Sequence, residues 1–339
     1  MKLNYNEIKD ITVGASLVEP LGDGVCFSRF TKKQRELYCN RTEACYLRSH
    51  SMSGIKLCFM TNSQKLGLSI GVLPASSRKY YAVDILINGE YFGGLDNFGG
   101  EELPQKYTVV DLKIEDAEKT FNLGNGEKLI EIYLPWSANI VIRELSLDDG
   151  AYIKPVKRKK KLLAFGDSIT QGYDALHPTN SYVAKLAKAL DADEYNKGIG
   201  GEIFFPELAL TKEDFIPDYI TVAYGTNDWS ISEKDIFRKN CSEFYSNLRK
   251  TYPDVKIFAI TPVWRTDIDG ERDMGKFEVV EEYIKRVAQK LDITVISGLE
   301  LIPADEKLFA DLFVHPSDEG FGYYYENLYK QMKERGDLK

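Results

Sequence analysis

The stretch LLAFGDSITQGY, Leu162 to Tyr173, decides how this chain is read. An apolar run breaks at Gly166, and an acid and a hydroxyl follow at once, Asp167 and Ser168. Such a run, ending on a turn residue, reads as a buried strand feeding a helix. Ser168 is then either a nucleophile at a strand end or the residue that caps the helix. A serine hydroxyl is a poor nucleophile unless a neighbouring base takes its proton. The choice therefore turns on what else the chain brings to that strand end.

Downstream, strand-like runs alternate with helical spacing. KLLAFGDS, DADEYNKGI, DYITVAYGT, VKIFAITPV and ITVISG are the strands, and helical patterns cover 181–190, 234–251, 276–291 and 319–334. This alternation predicts a parallel sheet with helices on both faces, whose ligand site lies beyond the carboxyl ends of the strands. Those ends carry Gly166-Asp167-Ser168, then NKGIGGE (196–202), YGTNDW (224–229) and, near the C-terminus, DLFVHPSDEGF (311–321). The chain has three histidines, His50, His177 and His315, and His315 is the best placed to reach across the strand ends. Histidine suits a general base because its pKa lies near working pH. Acyl transfer also needs donors aimed at the developing oxyanion. The Ser168 N–H, a glycine N–H of 198–201 and the Asn227 amide are the candidates.

These blocks, in this order, resemble the SGNH hydrolases, also called the GDSL esterase/lipase superfamily. The matching residues are GDSI at 166–169, NKGIGGE at 196–202, GTND at 225–228 and HP at 315–316. The resemblance implies a flavodoxin-like three-layer α/β/α domain in which Ser168 is the nucleophile and His315 the general base. It also implies an oxyanion hole of Ser168, Gly201 (Gly200 as the fallback) and Asn227, with Asp167 ordering the turn. One position departs from the pattern: the acid usually three residues before the histidine is here Leu312. Asp311, four before, is the candidate third catalytic residue. The alternative is a backbone carbonyl orienting His315 in a Ser–His dyad.

Upstream the pattern is different. ACYLRS, GIKLCFMT, KLGLSIGVL, KYYAVDILINGEYFGGL, KYTVVDLKI, EKLIEIYLP and NIVIRELSL read as short strands, with Asn88-Gly89 as a hairpin turn. One helix-length apolar period is visible, near 32–37. The expectation is an all-β, jelly-roll-like sandwich over 1–150, a basic linker over 151–160 and the hydrolase domain over 161–339. A sandwich ahead of an SGNH domain resembles the carbohydrate esterases. That implies an acetyl esterase acting on oligosaccharides, with Trp229, Trp264 and Tyr173 offering ring faces to sugars and Asp174 beside them at the rim. The rival readings are a lipase or thioesterase of the same superfamily and a non-catalytic carbohydrate-binding protein.

Composition sets the outer limits. The 339 residues are 43% hydrophobic and 28% charged, with a net charge of −8. An acidic chain argues against nucleic-acid binding, and the basic run KPVKRKKK (154–161) reads as a solvated linker. No apolar leader and no membrane-length run is visible, so a cytoplasmic location is expected and no membrane partner. Five cysteines without CxxC or Cys/His spacing predict no metal site, and the serine mechanism needs no cofactor. The expected partner is a small-molecule or oligosaccharide ester, with self-association into a homo-oligomer left open.

Overall fold

The computed structural model describes residues 1–99, 103, 110–335 and 338. The N-terminal half folds as two antiparallel sheets. Its strands are β1 (Thr12–Val13), β2 (Leu17–Leu21), β3 (Gly24–Ser28), β4 (Lys56–Thr61), β5 (Lys65–Pro74), β6 (Ala82–Ile87), β7 (Glu90–Asp96), β8 (Ala117–Asn122), β9 (Lys128–Tyr133), β10 (Ala138–Leu147) and β11 (Lys154–Pro155). One sheet runs β1-β4-β9-β6-β7 with β11 also on β4, and the other runs β2-β3-β10-β5-β8. Alternating side chains from both inner faces, among them Leu57, Phe59, Ile85, Ile130, Leu68, Ile70 and Ile142, close one core between them.

Three helices also belong to this half: α1 (Tyr5–Ile11), α2 (Lys32–Cys39) and α3 (Glu43–Ser49). ACYLRS is therefore helix, not strand. Thr42 caps α3 through the Cys45 N–H, and that cap outweighs the strand preference of Cys and Tyr. Of KYTVVDLKI, residues 106–109 lie outside the described residues and 110–114 form no regular element.

The C-terminal half is the predicted α/β layer structure. Its strands are β12 (Lys160–Gly166), β13 (Ala192–Asn196), β14 (Tyr219–Ala223), β15 (Lys256–Ile260), the small hairpin β16 (Glu271–Arg272) and β17 (Gly275–Lys276), and β18 (Thr294–Ile296). The main sheet is parallel in the order β13-β12-β14-β15-β18. That is the flavodoxin-like order, whose switch point lies between β12 and β14. The helices are α4 (Ser168–Gln171), α5 (Tyr182–Ala189), α6 (Pro206–Ala209), α7 (Thr226–Ile231), α8 (Lys234–Thr251), α9 (Glu278–Lys290) and α10 (Asp318–Glu334). Two apolar clusters, one on each side of the sheet, hold them in place.

The basic run between the halves is partly ordered into the sandwich. Lys154 and Pro155 pair with β4, and β12 begins five residues later. The halves share a buried polar seam. Arg29 is fully buried and all its guanidinium nitrogens donate: to Ser51 O, Ser51 Oγ, Arg48 O, Asn196 O and Gly198 O. Trp136 donates its indole N–H to Ala175 O at 2.8 Å and packs its ring on Tyr80 and Tyr173. Among the described residues no helix is long and apolar enough to cross a membrane.

Candidate active site

Ser168 is the first residue of α4, directly beyond β12. Asp167 is the cap: its Oδ1 accepts the Ile169 N–H at 3.0 Å. The Ser168 hydroxyl is thus free of capping duty, and its Oγ lies 2.9 Å from His315 Nε2. Burial, opposed by the Ile169 N–H and the nearby cations, pushes the Asp167 carboxyl up to about 6. The loop after β13 wraps closely round this turn. A Cβ on Gly198 would sit 2.4 Å from the Gln171 nitrogen, so only glycine allows the approach.

His315 reaches the serine from a loop closed by the Ala310 N–H to His315 O bond and a bridge between Phe309 and Pro316. Leu312 takes a left-handed conformation, φ 55°, and this extra bulge turns Asp311 inward. Asp311 Oδ1 accepts the N–H groups of Phe313, Val314 and His315, while Oδ2 lies 2.7 Å from His315 Nδ1. Burial opposes ionisation there, but the His315 hydrogen bond and charge and the backbone donors win, holding the Asp311 carboxyl down to about 2.

Asp174, placed at the rim on sequence grounds, is instead fully buried behind His315, its Oδ2 3.5 Å from Nδ1. The donors that hold it come from the sandwich half: Arg78 Nε at 2.6 Å, Arg78 Nη2 at 2.8 Å and Tyr80 OH at 2.9 Å. Asp174, Asp311 and His315 lie close enough together to suggest a cation site. The Arg78 guanidinium already fills the place a cation would neutralise.

The candidate oxyanion donors divide cleanly. The Gly200 N–H is occupied by Gln171 Oε1 at 2.7 Å. The N–H groups of Ser168 and Gly201 have no partner among the described residues. Gly201 has φ 78°, which favours glycine, and it faces solvent. Asn227 spends one amide hydrogen on Glu202 O at 3.0 Å and keeps the other. Arg48, on α3, donates to Gly200 O at 2.6 Å. In a trans peptide the C=O and the following N–H point opposite ways. Arg48 therefore pins the Gly201 N–H to the far side of that peptide and polarises it.

The ring platforms are corrected. Tyr173 is 3% exposed and stacks on His315 with ring centres 5.5 Å apart. Trp229 is 1% exposed, because its indole N–H is satisfied by Gly275 O and its ring packs edge-on against Phe277. Both are walls of the core rather than sugar platforms. Trp264 is half-buried against Phe309. A cavity of about 870 Å³ opens at the other end of the sheet, among Lys160, Tyr219 and Lys256, the residues that begin β12, β14 and β15. Sequence reasoning missed Arg29, Arg48, Arg78, Tyr80 and Gln171. Only the fold brings the first four, each 94 or more residues before the loop group or Asp174 carboxylate that it holds, to this place.

No curated protein sequence matches the chain. Solved structures do. The salicylyl-acyltransferase SsfX3 from a tetracycline biosynthetic pathway aligns with TM-score 0.80 at 20% identity, over 97% of this chain and 96% of that one. A family two carbohydrate esterase from Cellvibrio japonicus aligns with TM-score 0.65 at 17% identity, over 96% and 95%. An acetyl xylan esterase from the rumen bacterium Butyrivibrio proteoclasticus aligns with TM-score 0.60 at 14% identity, over 86% and 92%. At such identities the likeness carries the fold. The family of GDSL-like lipases and acylhydrolases matches residues 164–322. This stretch holds the serine turn, the glycine loop, Asn227 and the histidine loop, so the chain is an ester hydrolase built on a GDSL-like lipase/acylhydrolase domain.

Proposed function

We propose that the protein is a serine esterase that removes short acyl groups, foremost O-acetyl, from carbohydrates. One observation carries the mechanism: a hydroxyl bonded to an imidazole that is bonded in turn to a carboxylate, beside backbone N–H groups that lack partners. Ser168 attacks the ester carbonyl while His315 Nε2 takes its proton. The oxyanion is held by the N–H groups of Ser168 and Gly201 and by the Asn227 amide. The alcohol leaves with the proton from His315, and water repeats the sequence on the acyl-enzyme. The sugar assignment rests on the likeness to carbohydrate esterases, because two of the three expected aromatic platforms are buried.

The test is acetate release from acetylated manno- and xylo-oligosaccharides, with fluorophosphonate labelling alongside. Ser168→Ala is expected to abolish both. Cleavage of short aryl esters without acetate release from sugars would keep the mechanism and remove the carbohydrate. A rate maximum at acyl chains of about eight carbons or more would move the reading to a lipase, whose deep apolar acyl pocket gains roughly 0.8 kcal/mol per buried CH₂. A second reading, transfer of the acyl group to an alcohol, is favoured by the likeness to the salicylyl-acyltransferase across nearly the whole chain. Capture of the acyl group by an added alcohol in preference to water would select it.

A further inference from the structure

His315 faces two carboxylates. Asp311 Oδ2 lies 2.7 Å from Nδ1 and Asp174 Oδ2 lies 3.5 Å from the same atom. The second distance is only about half an ångström beyond hydrogen-bond reach. The two acids are held in opposite ways. Asp311 sits on a surface loop that depends on the left-handed Leu312. Asp174 is fully buried, itself left-handed at φ 71°, and clamped by Arg78 and Tyr80. A buried carboxylate survives only when paired, and strained residues concentrate where geometry serves function. An ion pair that merely tied the halves together would have no reason to aim an oxygen at Nδ1.

We propose that Asp174 is a standby orienter of His315, a positioning residue that takes the Nδ1 hydrogen when Asp311 withdraws. The sandwich domain supplies it through Arg78 and Tyr80. The imidazole, stacked against Tyr173, tilts from one acid to the other and keeps the tautomer that leaves Nε2 facing Ser168. The proposal rests on the esterase reading. It also changes what a mild Asp311 phenotype means: not a backbone carbonyl acting alone, but a second acid.

The experiment uses Asp311→Ser, whose hydroxyl still caps the loop N–H groups but is too short to reach Nδ1. It is compared with Asp174→Asn/Arg78→Gln, which removes the buried pair as a unit, and with the combination of all three changes. Asp311→Ser is expected to lose about 10- to 50-fold in kcat, and the pair variant less than about 10-fold. The combination is expected to approach the roughly 10⁴-fold loss of a triad with a disabled acid, well beyond the product of the two. The low-field proton resonance of the imidazole Nδ1–H should persist in Asp311→Ser and vanish in the combination. A combined loss no larger than the product overturns the proposal, and so does absence of that resonance from Asp311→Ser. The latter reading stands even if the combined variant fails to fold. Turnover that survives Ser168→Ala would instead remove the esterase reading beneath it.

Discussion

Two histidines in this molecule hold Nδ1 at 2.7 Å from a carboxylate oxygen, His315 from Asp311 and His177 from Asp84. Beyond that contact they diverge. His315 Nε2 meets a hydroxyl at a strand end. His177 sits between the edges of Tyr91 and Phe98, on a loop that Asp84 of β6 also grips through Thr179 Oγ1 at 2.6 Å. One pair points into the mouth of the parallel sheet and the other fastens the sandwich to it. A His–Asp pair is therefore no catalyst by itself, and what Nε2 faces decides its use.

The comparison breaks most directly on turnover. His315→Ala is expected to lower kcat by roughly 10⁵-fold or more, as removal of a triad base does, while His177→Gln stays within a few-fold. Equal losses measured with an aryl acetate would erase the distinction. Next in size is Arg48→Met. It is expected to cost about 10²-fold in kcat with little change in KM, because the proposed oxyanion donor, the Gly201 N–H, would lose its anchor. Partial rescue of Arg48→Ala by added guanidinium would separate this from a folding defect.

The His177 side is read in stability. Asp84→Asn should cost about 2–3 kcal/mol in denaturant unfolding, since it breaks a buried pair, with turnover of the folded fraction nearly unchanged. The Asp84 hydrogen bond, opposed by burial and helped by the charges of Asp84, Asp318 and Asp96, raises the His177 pKa. Its stabilisation is then full below the unfolded value near 6.5 and is lost as pH rises through the folded value. Unfolding free energies of the wild type should fall across that window, and those of His177→Gln should be flatter. Smallest of all, Trp229→Phe should lower stability by about 1 kcal/mol and leave KM for sugar esters unmoved, as expected of a packed ring.

Much of this was legible before the fold. The helices of the C-terminal half, α5, α8, α9 and α10, follow their apolar period closely, because each lays one face on a sheet. The blocks at 166, 196, 225 and 315 mark strand ends. The missed elements have local signals of another kind. Asn4 with Glu7 is a capping box that opens α1, which no apolar period announced, and Thr31 with Gln34 is another that opens α2, the helix its apolar period had already suggested. Asp311 was named from the sequence beside a backbone-carbonyl alternative, and choosing between them needed the left-handed Leu312, which nothing in its side chain announces. The burial of Trp229 depends on Gly275 offering it a carbonyl across a hairpin. Arg29, Arg48 and Arg78 act on groups 96 to 169 residues away, and no periodicity records that.

The short passage from β11 on the sandwich to β12 in the parallel sheet has an engineering consequence. With only four residues of chain between them, and Arg29 inserted among the carbonyls of the glycine loop, the sandwich is not a cartridge that can be unplugged. A truncated enzyme starting near residue 160 would expose those carbonyls and lose the clamp on Asp174. A transplant into a related hydrolase would have to carry Arg29, Arg48, Arg78, Tyr80 and Trp136 together, as one inherited unit.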